Sequence, residues 1–152
     1  MPEDHYYEEP IMRIRSFVAA CALVALPVAA QAQKQVVTGT GVNNSATLSA
    51  GVKVGDLLFM SGQTPARGDS TIEGQTKSAL EKMNPVLAAA GTSKDKIVKC
   101  TVFLIDVKDF AGMNKAYTEF FGANPPARST VVVAALVVPG GKLEVECIAS
   151  LK

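Results

Sequence analysis

NPPARSTVVVAALVV, residues 124–138, sets two prolines and an arginine directly in front of an almost unbroken apolar run. A strand with one wet face alternates apolar and polar residues, whereas a strand covered on both faces is apolar throughout and rich in β-branched side chains. The run is of the second kind. It predicts a strand from Ser129 to Val138 buried on both sides, with Arg128 at its mouth.

Working outward, the turn Pro139-Gly140-Gly141 leads into a closing strand from Lys142 to Leu151. On it Leu143, Val145, Cys147, Ala149 and Leu151 share one face, and Glu144, Glu146, Ile148 and Ser150 share the other. Upstream, KIVKCTVFLID (96–106) reads as a strand. Asp106 or Asp109 then starts a helix that ends near Gly122, with Phe110, Met113, Tyr117, Phe120 and Phe121 on its apolar face. Asn114 falls on the same stripe.

Ser70 and Glu73, at capping-box spacing, open an earlier helix whose apolar positions are Ile72, Ala79, Leu80, Met83, Val86, Leu87 and Ala90. Gly91 stops it, and Pro85 should kink or split it near Asn84. Before it, DLLFMSG (56–62) reads as a buried strand, preceded by a Gly-, Ser- and Asn-rich edge hairpin. The order is that of an α+β domain with two helices and one mixed sheet. Two helices cover only one sheet face, so an apolar run from Val131 to Val138 needs a second copy to cover it, and a homo-oligomer is expected.

The 152 residues suffice for one domain. From Met12, MRIRSFVAACALVALPVAAQAQ has two arginines, an apolar stretch from Phe17 to Ala30 and the small-residue site Ala30-Gln31-Ala32. That order is a cleaved secretory signal peptide, Met12 to Ala32, and predicts a periplasmic or secreted protein with no membrane contact in its mature form. A membrane span would need roughly 20 apolar residues. A lipobox reading of Val18-Ala19-Ala20-Cys21 leaves too short an apolar core before the cysteine. Residues 1–11 carry Glu3, Asp4, Glu8 and Glu9, the wrong charge for the start of a signal peptide, so they read as an upstream extension. The domain is then 33–152.

His5 is the only histidine, and the mature chain has none. Histidine-based ribonuclease chemistry, Ser-His-Asp and Cys-His catalysis and histidine-ligated zinc are thereby excluded from it. The formal net charge is +1 without any run of lysine or arginine, which argues against nucleic acid as a partner. Cys100 and Cys147 have two readings in an oxidising compartment: a disulfide, or small buried apolar residues, and residue type favours the second.

Three polar residues sit where packing does not ask for them. Arg128 reads either as half of an interface ion pair or as a planar fork that clamps a carboxylate. Asn114 reads as a loop cap or a ligand-facing amide. Glu144, with Glu146, reads as the wet face of a strand or as an acid/base group. Ser61-Gly62-Gln63 reads as a strand end running into a turn.

Taken together, LLFMSGQTP (57–65), KIVKCTVFLID (96–106), FAGMNKAYTEFFG (110–122), PPARSTV (125–131) and KLEVECIA (142–149) resemble the Rid (reactive intermediate deaminase) family, RidA type, from about Val42 to Lys152. The resemblance implies a chorismate-mutase-like α+β fold with two helices on one sheet face, a homotrimer, and a ligand cleft at each subunit interface. It also implies hydrolysis of enamines and imines such as 2-aminoacrylate to 2-keto acids and ammonia, with no metal or organic cofactor. By residue match Arg128 binds the substrate carboxylate, Ser61 and Gly62 form cleft wall, Asn114 is the helix asparagine, and Glu144 handles water or protons. Backbone groups around Thr130 are expected to orient the water or the nitrogen.

The sequence departs from that pattern at Leu48, where the family commonly has tyrosine, at Thr130, where many members have cysteine, and by about one extra residue in the turn before Glu144. Three functions stay open: a deaminase of small 2-imino acids, a non-catalytic module binding a small carboxylate, and a trimeric chaperone-like protein using exposed apolar area.

Overall fold

The computed structural model describes residues 33–152. The expected upstream extension and signal peptide, with His5 and Cys21, lie outside the described residues.

One sheet carries the fold. Its strands are β1 (Gln35–Val36), β2 (Gly51–Val54), β3 (Leu57–Met60), β4 (Ile97–Leu104), β5 (Ala127–Val132) and β6 (Leu143–Ser150), in the spatial order β1-β2-β3-β6-β4-β5. All pairings are antiparallel except β4 with β5, which the helix α3 (Phe110–Phe121) joins as a parallel crossover. That crossover makes the one parallel neighbour pair among the described strands, and so the mixed sheet.

The earlier helix is split as Pro85 predicts, into α1 (Ile72–Glu81) and α2 (Asn84–Ala90), because proline is accepted in a first helical turn and not in an interior. Gly91 ends α2 at φ 82°, a left-handed conformation that glycine adopts without penalty. The N-cap is Thr71, not Ser70: its hydroxyl accepts from the Gly74 N–H at 3.1 Å. Both residue types cap, and the geometry selects the one directly before Ile72. Asp106 caps the short turn Val107–Asp109 that leads into α3.

Every second residue of β6 (Leu143, Val145, Cys147, Ala149) is buried against the helices, together with Leu58, Leu80, Met83, Val102, Leu104 and Met113. Within one chain DLLFMSG is covered on one face, at Leu58 and Met60, while Leu57 and Phe59 are 40% and 43% exposed. One strand expectation is corrected. The apolar run stops being a strand at Val132, six residues before the expected end at Val138. The reason is topological. β5 is an edge strand with β4 as its partner, the Val133 N–H to Leu104 carbonyl bond is the last rung, and the backbone of Ile105 turns to Lys142 instead. Within one chain Val131 and Val132 stay about half exposed and Val137 almost fully so, at 91%.

Cys100 and Cys147 face each other in the β4/β6 register, with Cα atoms 4.1 Å apart, and are joined in a buried disulfide. The preference for unpaired thiols is thus corrected. Residue spacing carries no information about cross-strand register, and register decided the matter.

Candidate functional site

Arg128 is the second residue of β5 and pairs with Cys100 in the parallel register, so its side chain lies on the helix-covered side of the sheet. There α3 presents Phe110, Met113, Asn114 and Tyr117, spaced to share one helical face. Arg128 Nη2 donates to Asn114 Oδ1 at 2.6 Å, and Nη1 points at the Met113 sulfur at 3.7 Å. The guanidinium carbon lies 4.6 Å from the centre of the Tyr117 ring and 5.9 Å from that of Phe110. An arginine seated on aromatic faces is attracted to their π-electrons and loses its rotamer freedom in advance of binding. Among the described residues it forms no ion pair with a carboxylate.

Tyr117 is 4% exposed and its hydroxyl has no hydrogen-bond partner among the described residues. Burial pushes its pKa up to about 12, against the opposing pull of the Arg128 charge. Thr130 points the same way as Arg128, two residues along β5, and its hydroxyl is likewise enclosed without a partner.

Glu144 belongs to the other side of the sheet. It pairs with Phe103, which pairs with Val131, and that row faces away from the helices. Its carboxylate lies over Gly62: a Cβ there would sit 2.8 Å from Glu144 Cδ and clash with Oε1, so only glycine leaves this room. The segment beneath is fixed. Ser61 Oγ donates to the Ser49 carbonyl at 2.7 Å, and Gln63 exchanges backbone bonds of 2.7 and 3.0 Å with Val145. Beside Glu144 is a recess of about 210 Å³ lined by Phe103, Val133, Ala135, Leu136 and Val137. The tail of the apolar run therefore borders Glu144.

The structure thus gathers the six residues singled out in the sequence into two groups. Arg128, Asn114 and Thr130 lie on the helix side at the β5 edge, and Ser61, Gly62 and Glu144 lie with the open face. Leu48 is 52% exposed in the loop before β2. The aromatic seat of Arg128 went unread in the sequence. Phe110, Met113 and Tyr117 were visible there only as a core stripe, and the signal that could have found them is Asn114 within that stripe. Chemically, one group offers an oriented cation suited to a carboxylate, and the other offers a carboxylate beside a glycine backbone and an apolar recess. Among the described residues no cluster of His, Cys, Asp or Glu is arranged to hold a metal ion.

A single mixed sheet with helices on one face, and at its edge an arginine with no carboxylate partner among the described residues, defines the class: a small α+β domain. The chain belongs to the Endoribonuclease L-PSP family, the Rid family, whose model matches residues 39–151. It is 41% identical over 119 residues to the mitochondrial protein mmf2 of Schizosaccharomyces pombe, covering 70% of this chain and 94% of mmf2. It is 38% identical over 109 residues to the chloroplastic Reactive Intermediate Deaminase A of Arabidopsis thaliana, covering 68% of this chain and 58% of that protein. Among solved structures, that of Escherichia coli TdcF with bound serine superposes with a TM-score of 0.69 at 34% identity, over 76% of this chain and 98% of TdcF.

Proposed function

We propose that the protein is an exported deaminase that hydrolyses small 2-imino acids and their enamine tautomers, of the 2-aminoacrylate kind, to 2-keto acids and ammonia. The observation that carries this reading is the guanidinium of Arg128, held by Asn114 Oδ1 at 2.6 Å and seated on Tyr117 without a carboxylate partner among the described residues. Such a fork suits a substrate carboxylate, and charge-assisted bonds of this type contribute roughly 1.5–3 kcal/mol. The relatives named above support the chemistry: one is named a reactive intermediate deaminase, and another was crystallised with serine, a small amino acid bearing a carboxylate.

The reaction asks for little more. An enamine is protonated at its terminal carbon to give the imine, water adds at C2, and the carbinolamine expels ammonia to leave the keto acid. Glu144 would deliver the first proton and later take one from the attacking water. Imines hydrolyse readily unaided, so holding carboxylate and water in one geometry supplies much of the acceleration. No metal or organic cofactor enters this scheme.

Arg128 and Glu144 face opposite sides of one sheet, so a site that uses both takes them from different copies. A closed homotrimer with a cleft at each interface does this, and it also covers Leu57, Phe59, Val98 and Val131, each 40–47% exposed in the single chain. Export is supported by the Cys100–Cys147 disulfide, a bond typical of oxidising compartments. A nucleic-acid substrate is disfavoured, since residues 33–152 contain no histidine to serve it.

A second reading, a carboxylate-binding module without turnover, is favoured by Leu48 and Thr130 at the positions where the family commonly has tyrosine and cysteine. One assay separates the two. Imino acids made in situ by an amino-acid oxidase are offered to wild type, Arg128→Ala and Glu144→Gln, and ammonia and keto acid are followed. Release by wild type above the protein-free rate, lost in both variants, is expected. Release at the protein-free rate, with a 2-keto acid raising the wild-type melting temperature in an Arg128-dependent way, gives the binding module instead.

A further inference from the structure

Gln75 lies on α1, only 3% exposed, and its amide uses three hydrogen bonds to join two loops. Its Nε2 donates to the Asp69 carbonyl at 2.8 Å and to the Gly140 carbonyl at 3.1 Å, and its Oε1 accepts from the Lys142 backbone N–H at 2.7 Å. Asp69 lies in the loop that leaves Gly62. Gly140 and Lys142 form the turn that enters β6 two residues ahead of Glu144.

That turn needs an anchor. After the rung from Val133 to Leu104, the chain has no ladder bond until Lys142, whose carbonyl accepts from the Ile105 N–H at 3.0 Å. The Gln75 amide closes the gap from the helix side, just as the Gln63–Val145 pair fixes the residue after Glu144. Glu144 is therefore held at both ends, by Gln75 through residue 142 and by Gln63 at residue 145. A buried amide with this many bonds is rigid, because breaking one leaves a desolvated polar group unpaired.

We propose that Gln75 is a positioning residue for the Glu144 carboxylate: by tying the Gly140–Lys142 turn and the Asp69 loop to α1, it sets the register in which Glu144 enters β6 and lies over Gly62. It touches no reacting atom. The kinetic consequence rests on the deaminase reading above, and the structural consequence rests on geometry alone.

The test compares wild type with Gln75→Met, which keeps the shape and loses all three bonds, and with Gln75→Asn, a milder change that serves if the methionine variant does not fold. Kinetics on an oxidase-generated imino acid should show kcat lowered roughly 10- to 100-fold, the scale of a misplaced catalytic group, with KM within about threefold because the Arg128 seat is untouched. In parallel, the Glu144 side-chain carboxyl carbon resonance should shift, and the Lys142 and Val145 amides should lose hydrogen-exchange protection. An unchanged kcat in a folded variant, or an effect on KM alone, overturns the proposal. If wild type itself has no activity, the deaminase reading fails, and Gln75 is judged by resonance and exchange: changes in both uphold its positioning role, and their absence refutes it.

Discussion

Replacing Gly62 with alanine adds one methyl group directly against the Glu144 side chain. The new Cβ would lie 2.8 Å from Glu144 Cδ and 3.1 Å from Cγ, well inside the ~3.5–4 Å of an ordinary carbon–carbon contact. Gly62 is not among the glycines with positive φ, so the backbone accepts alanine without strain, and the three nearest atoms the methyl meets all belong to Glu144. A flexible carboxylate relieves it by rotating outward, at about 0.5–1.5 kcal/mol for an off-rotamer torsion. Stability should therefore drop by only about 1 kcal/mol. The carboxylate end moves by the order of 1 Å, which for a positioned acid/base group costs roughly 100-fold in kcat. KM should stay nearly constant, because the added methyl meets Glu144 and leaves the Arg128 fork and its Asn114 support, which the proposed site takes from another copy, unchanged. The assay is ammonia release from an oxidase-generated imino acid at saturating and limiting substrate, with thermal unfolding alongside. A fully active Gly62→Ala protein, or one defective in KM alone, refutes the role given to Glu144.

The other predictions concern the clamp and the frame. Asn114→Ala removes the acceptor at 2.6 Å from Arg128 and should weaken 2-keto acid binding about 5- to 10-fold by calorimetry, near the ~1 kcal/mol of one oriented hydrogen bond. The disulfide closes a loop with a sequence separation of 47, so reduction, or Cys100→Ala with Cys147→Ala, should lower unfolding free energy in urea by about 4 kcal/mol in the chain-entropy model. Tyr117, with its pKa pushed up to about 12 in the fold against the ordinary 10.0, binds its proton more tightly folded than unfolded. Its contribution is thus fully present below pH ~10 and lost as pH rises towards 12, on the order of 2 kcal/mol, and a Tyr117→Phe protein should show a flatter decline in this window.

Period and punctuation made most of the fold legible. Pro85 and Gly91 marked the split and the end of the first helix, and the alternation on β6 gave its buried face without ambiguity. What the sequence could not carry was pairing. The apolar run 131–138 has strand composition throughout, yet only the part beside β4 finds backbone partners, and the rest bends over to border Glu144. The cysteines failed to declare themselves for the same reason, since register places them opposite one another. At the site, Arg128 stood out as a charge in front of an apolar run and Glu144 only as one of two carboxylates on a strand face, and their assignment to opposite sheet faces requires the register of β4 against both β5 and β6. Gln75 had no signal at all: a helical glutamine two residues from a glutamate reads as surface until its loops are seen.

That division of the two groups between faces also supplies the most direct measurement. Arg128→Ala and Glu144→Gln proteins, each inert alone, are unfolded, mixed in equal amounts and refolded together, and imino acid hydrolysis is assayed. If each site joins Arg128 of one copy to Glu144 of another, random assembly regenerates about a quarter of the wild-type sites, and activity should recover to that level. Recovery of none, with mixed oligomers verified by mass, would contradict a site shared between copies. Hydrolysis by wild type no faster than the protein-free control would contradict the deaminase itself.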